Sequence, residues 1–337
     1  MNQREITEPT PLLDAKGRLA YPGYARRMLF RYDPRAVKAG PLARKEWDFY
    51  QIALDGSILQ MTIGHVSYMA SFSAALFSPA TGERRSFTRM RPLPLGSLRM
   101  PVDPDAPYEK QYGGKGWEME FDIRPRRRRL RLQANEQGGV DVDILLGREP
   151  DDDKMVVATP FEKPGLFYLN CKENYYAVEG YARFGDAVAR PRGDDTALMD
   201  WGRGAWPFHH EWFWGNGAAR LEDGRFAFNI GWGFGDLSRA TENMFFWNGK
   251  AYKLGSLNVE RDASDYMNPW RFTDEDGRFD FTMIPRYDNF TKTKLLFVDN
   301  RCHQVFGLFT GWAKLPTGET IRVQGMPAFC EHAVNNW

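Results

Sequence analysis

Glycine-containing dipeptides punctuate the 337-residue chain at Asp55-Gly56, Thr81-Gly82, Gly138-Gly139, Asp223-Gly224, Asn248-Gly249, Asp276-Gly277 and Thr317-Gly318. Each lies between segments rich in β-branched or aromatic residues, and such pairs supply the positive φ angles that tight hairpins need. Between them the pattern alternates with period two, as in Trp117-Glu-Met-Glu-Phe-Asp-Ile123, Leu130-Arg-Leu132 and Val140-Asp-Val-Asp-Ile144. Alternation of this kind marks half-buried antiparallel strands. No long stretch has helical period, and only residues 33–45 suggest one short helix. The expected fold is all-β: two antiparallel β-barrel or barrel-like domains with few short helices.

Residues 183–196 (RFGDAVARPRGDDT) are rich in glycine, proline and charge and mark the expected boundary. They divide the chain into an N-terminal β-barrel-like domain, 1–190, which carries an N-terminal arm, and a C-terminal one, 191–337. A proline-rich stretch, 91–107, reads as a long excursion inside the first domain, and long loops in compact domains are often functional. The arginine run 126–129 with Arg131 invites a nucleic-acid reading. Strand alternation accounts for it better: Arg131 beside Asp141 and Arg129 beside Asp143, with Leu132 and Leu130 facing Val140 and Val142. Lys plus Arg number 45 against 44 Asp plus Glu, a balance that argues against a dedicated nucleic-acid binder. Three cysteines (Cys171, Cys302, Cys330) with no CxxC argue against a disulfide framework and for a reducing compartment. The segment MNQREITEPTPLL places charges where a signal peptide needs an apolar core, and no window reaches membrane-spanning length. A cytoplasmic protein with no membrane span is expected.

The densest chemistry lies in DWGRGAWPFHHEWFWGN, residues 200–216. If Asp223-Gly224 forms a two-residue turn, Glu222 faces Arg225, Trp214 lies opposite Gly233 and Trp212 opposite Gly235. One face then carries His210, Trp212, Trp214, Asn216 and Asn229 with small Gly231 and Gly233, the composition of a ligand-lining face. The other carries Phe213, Leu221, Phe226, Phe228, Ile230, Trp232 and Phe234, which is packing core. Asp200 and Arg203 are expected to pair, because charge taken from water needs a partner. Parity sets His210 and Glu211 on opposite faces, and likewise His209 and His210, which cannot share one metal. Cys302-His303 and Cys330-x-His332 hold zinc-type ligands at spacings that fit no standard site. There is no P-loop and no GxSxG, and Gly231-x-Gly233-x-Gly235 is not a dinucleotide fingerprint. Neither metal nor cofactor is expected.

Several strings match a known pattern. They are Thr7-Glu-Pro-Thr-Pro-Leu-Leu-Asp14, Gly23-Tyr-Ala-Arg26, Lys45-Glu-Trp-Asp-Phe-Tyr50, Asp200-Trp-Gly-Arg-Gly-Ala-Trp-Pro207, Thr241-Glu-Asn243, His303-Gln-Val-Phe-Gly307 and the segment 325–337. On these the chain resembles, end to end, the bacterial domain-of-unknown-function family 2804. More distantly it is similar to the two-domain lipocalin-like group of carotenoid 1,2-hydratase, tocopherol cyclase and fungal pericyclases. That resemblance implies two β-barrels packed together, with a hydrophobic ligand between or inside them. The partner expected is therefore a hydrophobic small molecule such as an isoprenoid or polyketide.

Hydration, cyclisation or isomerisation of such a molecule needs a proton donor, and indole faces can stabilise a developing carbocation. Asp200 or Glu211 would be the acid and His210 or His303 the relay. Trp201, Arg203, Trp206, Trp212, Trp214, Asn216 and Asn229 would line the ligand. A non-catalytic lipocalin-like binder needs the same aromatic cavity without a convergent acid. A carbohydrate-active protein is a third reading, since tryptophan platforms with carboxylates also suit sugars.

Overall fold

The computed structural model describes residues 3–136, 138–295 and 298–337. Strands dominate them, and the fold is all-β: two antiparallel sheets, each curled into a half-barrel. Among the described residues no helix is long and apolar enough to cross a membrane. The short helix expected within 33–45 is two single 3₁₀ turns, Pro34–Ala36 and Pro41–Ala43. Each begins with a proline, whose fixed φ suits a first turn.

The chain divides into two compact units. One comprises Met1–Ala39, Asp153–Asn170 and Gly204–Trp337; the other comprises Gly40–Asp152 and Cys171–Arg203. Residues 183–196 lie inside the second. The larger sheet has a ten-strand path, in the order Arg84–Pro92, Met69–Phe77, Ser57–His65, Arg44–Leu54, Thr196–Ala205, Phe167–Phe184, Val140–Gly147, Arg127–Ala134, Trp117–Arg124, Tyr108–Gly114. The nine-stranded sheet runs Lys250–Lys253, Met244–Trp247, Gly224–Trp232, His209–Leu221, Thr320–Asn336, Val298–Lys314, Phe279–Leu295, Trp270–Asp274, Leu257–Glu260.

Hairpin chemistry accounts for much of this order. Asp55 and Gly56 have φ of 50° and 79°, and Leu54 pairs with Ser57. Asn248 and Gly249 repeat the geometry at 49° and 79°, between Trp247 and Lys250. Both are two-residue turns with positive φ at each central position, which matches the twist of the flanking strands.

Two hairpins depart from the expected register, each by two residues. In the first, Leu221 pairs with Gly224, so Glu222 and Asp223 make the turn and Trp214 lies opposite Gly231. Gly224 is there for space: a Cβ would stand 2.4 Å from Asn248 Oδ1, which accepts a hydrogen bond from Arg225 N at 2.9 Å. In the second, Arg131 lies opposite Asp143, Leu132 opposite Val142 and Leu130 opposite Ile144, because the strand continues to Ala134. A shift of two preserves the faces where a shift of one would invert them. Arg129 still reaches Asp143 along the diagonal, at 2.8 and 2.6 Å. Arg131 turns instead to Glu120 on the other neighbouring strand, at 3.4 Å.

The core of the nine-stranded sheet lies on one face. Phe226, Phe228 and Ile230 meet Phe279, Phe281 and Met283, with Phe272, Phe309, Val323 and Met326, all at most 2% exposed. Each such side chain contributes about 1.5–3 kcal/mol through burial. This half-barrel interior is therefore filled by its own phenylalanines over most of its length.

Candidate functional site

Strand parity sorts the residues of His209–Leu221 into two environments. His210, Trp212, Trp214 and Asn216 project to the face away from the phenylalanine core, where the register aligns Trp214 with Glu331 and Glu331 with Gln304. Trp214 Nε1 donates to Asn229 Oδ1 at 2.8 Å, and Asn229 Nδ2 donates to the Glu242 carbonyl and carboxylate at 2.8 and 3.0 Å. Asn216 Nδ2 donates to the same Asn229 oxygen at 3.3 Å. Trp212 Nε1 donates to Glu331 Oε1 at 2.7 Å, and Gln304 Nε2 to Glu331 Oε2 at 3.1 Å.

His210 sits in an aromatic box of Trp206, Trp212, Phe234 and Trp337, with ring centres 4.6 to 6.1 Å away. Its Nδ1 bonds the Pro207 carbonyl at 3.0 Å while Nε2 accepts from Trp206 Nε1 at 3.3 Å. That pairing fixes a neutral tautomer with both nitrogens occupied. The face expected to line a ligand is thus a self-satisfied hydrogen-bond network, and its small Gly231 leaves room for the Glu242 carboxylate.

Asp200, Trp201 and Arg203 belong to the other unit. Arg203 does not pair with Asp200, which accepts from Trp47 Nε1 at 3.2 Å. Three residues apart on a strand, the two point to opposite faces. Arg203 is fully buried and donates to Asp48 Oδ1 at 2.8 Å and to the carbonyls of Trp47, Gly202 and Pro101 at 2.7, 2.9 and 3.0 Å. Burial works against its charge, but Asp48 and Glu46 outweigh burial and hold the guanidinium above its usual pKa. Its plane lies 4.1 Å from the centre of the buried Trp201 ring.

Glu211 and His303, the remaining expected residues, come together on the opposite face of the nine-stranded sheet, at one end of the phenylalanine core. Here a single row crosses five strands: Trp232, Phe213, His332, His303 and Phe290, each directly opposite the next. Phe213 stacks on Trp232 at 4.8 Å and on His332 at 4.0 Å. The segment 261–269 delivers Tyr266 over this row. Asp262 ties that segment, accepting from Ser264 N at 2.8 Å and from Asn268 Nδ2 at 2.9 Å. The Tyr266 ring stacks on His303 at 4.0 Å, and its hydroxyl meets His332 Nδ1 at 2.7 Å.

Two carboxylates complete the cluster. Asp288 Oδ2 lies 2.6 Å from His303 Nδ1, and Glu211 Oε2 lies 3.6 Å from His332 Nε2. A β-bulge sets the first contact. Pro285 pairs with Gly307 and Tyr287 with Phe306, leaving Arg286 as the extra residue. Past it the strand changes parity, so Asp288 and Phe290 share the face of Val305 and His303. Bulges commonly re-aim side chains in this way beside active sites. Arg261 caps the group, its guanidinium carbon 5.2 Å from the ring centres of Phe213, Tyr266 and Trp270.

The electrostatics favour a neutral His332. Burial, with Arg261 and His303 nearby, holds its pKa below the ordinary 6.5, against the opposing pull of Glu211. Burial likewise raises the Tyr266 hydroxyl above its usual value. A neutral His332 with Nε2–H towards Glu211 leaves Nδ1 to accept the Tyr266 proton. Among the described residues His303 Nε2 has no hydrogen-bond partner, and the His303 side chain is 30% exposed. No group of three His, Cys, Asp or Glu side chains among them is placed to hold a metal. Asp288, Tyr266, Arg261 and His332 were not among the expected site residues. The double histidine at 303 and 332 was visible in sequence, but only strand pairing makes the two neighbours.

Two curled antiparallel half-barrel sheets in one chain define the class of fold. The chain belongs to the family described as Domain of unknown function (DUF2804), whose profile covers residues 3–337. It is similar in structure to kievitone hydratase from Nectria haematococca, at 12% identity over 87% of this chain and 88% of that one, with a TM-score of 0.52. A candidate AttH protein from Nitrosomonas europaea is also similar, at 13% identity over 90% and 95% of the two chains, with a TM-score of 0.45. No curated protein matches the sequence. At such identity the hydratase shows a shared fold alone.

Proposed function

We propose that the chain binds a hydrophobic small molecule against the ring row of the nine-stranded sheet and moves a proton on it. The observation that carries this reading is the chain of contacts Glu211–His332–Tyr266 beside Asp288–His303. Glu211 Oε2 faces His332 Nε2 at 3.6 Å, and His332 Nδ1 accepts from the Tyr266 hydroxyl, which fixes the phenol ring over His303. His303, whose Nδ1 is held by Asp288, takes a proton from ligand carbon at Nε2 and returns it to another carbon. The ligand loses one proton and regains one, so the reaction is an isomerisation. Carbon beside a carbonyl is the chemistry such groups can address. The exposed ring faces of Phe290 and the partly buried Trp232 supply the apolar contact a hydrophobic ligand needs.

The test uses hydrophobic ketones and enones in D₂O, with hydrogen exchange next to the carbonyl followed by NMR. The wild-type protein is expected to accelerate exchange, and His303→Asn to lose about a hundredfold. Exchange that survives in His303→Asn would reject the reading. Retained hydrophobic molecules in native mass spectrometry, with neither exchange nor conversion, would leave the lipocalin-like binder.

A further inference from the structure

The excursion after the edge strand Arg84–Pro92 takes no part in the site above, and its composition is unusual. Residues 84–102 (RRSFTRMRPLPLGSLRMPV) contain Arg84, Arg85, Arg89, Arg91 and Arg99 and no carboxylate. In a chain of net charge +1 this is a strongly basic island. Asp186 pairs with Arg85 at 2.8 Å and Glu136 with Arg89 at 2.5 Å. Among the described residues Arg91 and Arg99 have no carboxylate partner, and both are exposed.

Between and beside those two arginines the chain displays apolar side chains to water. Leu93 is 64% exposed, Leu95 60%, Met90 47% and Val102 44%. Loose surface loops seldom hold such residues in a fixed pose, yet this one is anchored. Leu93 N and Leu95 N donate to the carbonyls of Tyr68 and Ser67 at 2.8 and 3.0 Å. Leu98 and Met100 are buried, and the Leu98 carbonyl accepts from the Tyr112 hydroxyl at 3.0 Å. The backbone at the two leucines is left-handed, with φ of 47° and 44°, and Arg99 repeats it at 48°. A leucine there costs free energy that Asn or Gly would not, and such strain gathers where a surface has a task.

We infer that this loop docks on an anionic lipid surface, with Leu93 and Leu95 entering the headgroup–acyl boundary and Arg91 and Arg99 meeting lipid phosphates. Two features select a bilayer over a protein. Leu93 and Leu95 are exposed on an anchored loop, a shallow apolar contact that suits the headgroup–acyl boundary, and the charge at Arg91 and Arg99 is complementary to anionic headgroups. A rigidly held loop inserts without a further ordering cost.

Co-sedimentation with vesicles of phosphatidylcholine containing 30% phosphatidylglycerol reads this directly. Wild-type protein is expected to pellet with these vesicles at low salt, to release at 0.5 M salt, and to ignore pure phosphatidylcholine. Arg91→Gln with Arg99→Gln is expected to weaken partitioning about thirtyfold, the equivalent of about 1 kcal/mol for each basic side chain. Leu93→Asn with Leu95→Asn should abolish pelleting while keeping or raising the melting temperature, since Asn tolerates the left-handed backbone. Wild-type binding by either double variant overturns the inference. So does binding to soluble polyglutamate with none to vesicles, which would mark an acidic polypeptide as the partner.

Discussion

The Gly40–Asp152 and Cys171–Arg203 unit buries a charge network whose removal should be costly in a particular order. Arg128, 4% exposed, donates to Glu173 Oε1 at 3.1 Å, Tyr176 Oη at 2.7 Å, Tyr50 Oη at 3.3 Å and the Pro104 carbonyl at 3.0 Å. Glu173 also meets Arg148 Nε at 3.2 Å and accepts from Tyr176. Breaking a buried ion pair costs about 3–5 kcal/mol, mostly for the charge left behind. Arg128→Met leaves Glu173 still paired with Arg148, so the cost should fall near the lower end, about 3 kcal/mol. Glu173→Gln removes the buried carboxylate that meets both cations. Among the described residues the carboxylate left near Arg128 is Asp105, 3.9 Å away and 41% exposed, so the cost should reach about 5 kcal/mol. The double variant should cost less than the sum, because the two changes share a partner. Urea unfolding at pH 7, followed by tryptophan fluorescence with a separate fit for each transition, gives all three values. A loss under about 1 kcal/mol for Arg128→Met, or a milder effect for Glu173→Gln, would refute the reasoning.

Three further outcomes are expected. Lys45 is 2% exposed and burial lowers its pKa from 10.5 to about 8. Between those values the unfolded chain holds a proton that the folded one has released, so stability should rise with pH from about 8 to 10.5. Lys45→Met should flatten that rise and stabilise the protein at pH 7 by up to about 3 kcal/mol, read from the urea midpoint. His332 has a folded pKa below its unfolded 6.5; its stabilising effect is present above 6.5 and fades as pH falls through the folded value. Its ring protons in NMR should titrate below 6.5, and a midpoint above that would contradict the neutral tautomer. Gly180 has φ of 110°, and a Cβ there would stand 2.0 Å from the Asp143 carbonyl oxygen. Gly180→Ala should lose at least about 2 kcal/mol of stability, measured by the same unfolding assay.

Fold class was legible in sequence because period-two alternation and turn dipeptides are local signals. The register was less so. At Gly224 a glycine that relieves contact with Asn248 looks, in sequence, like one that supplies positive φ, and the two roles give registers two residues apart. The parity that buries Leu130 and Leu132 buries Arg128 as well, and the arginine run thus contains the centre of an interior network. The same parity separates Asp200 from Arg203, since neighbours three apart on a strand face opposite sides however close they lie in sequence.

The candidate site shows where local signals end. Glu211 and His303 were named from residue type alone, while His210, Trp212 and Trp214 drew attention through density, and density proved to serve hydrogen bonding within the fold. What separates the two groups is the pairing of distant strands. His303 meets His332 because Val298–Lys314 and Thr320–Asn336 form one hairpin, and Phe213 joins them because His209–Leu221 adds to its outer edge. Asp288 is harder still. A regular strand would carry it to the face away from His303, beside residues such as Gln304, and only the extra residue at Arg286 returns it. A single inserted residue thus decides whether His303 has a carboxylate partner. That decision lies in backbone irregularity, which neither composition nor periodicity encodes, and it is the same irregularity that the proposed proton transfer depends on.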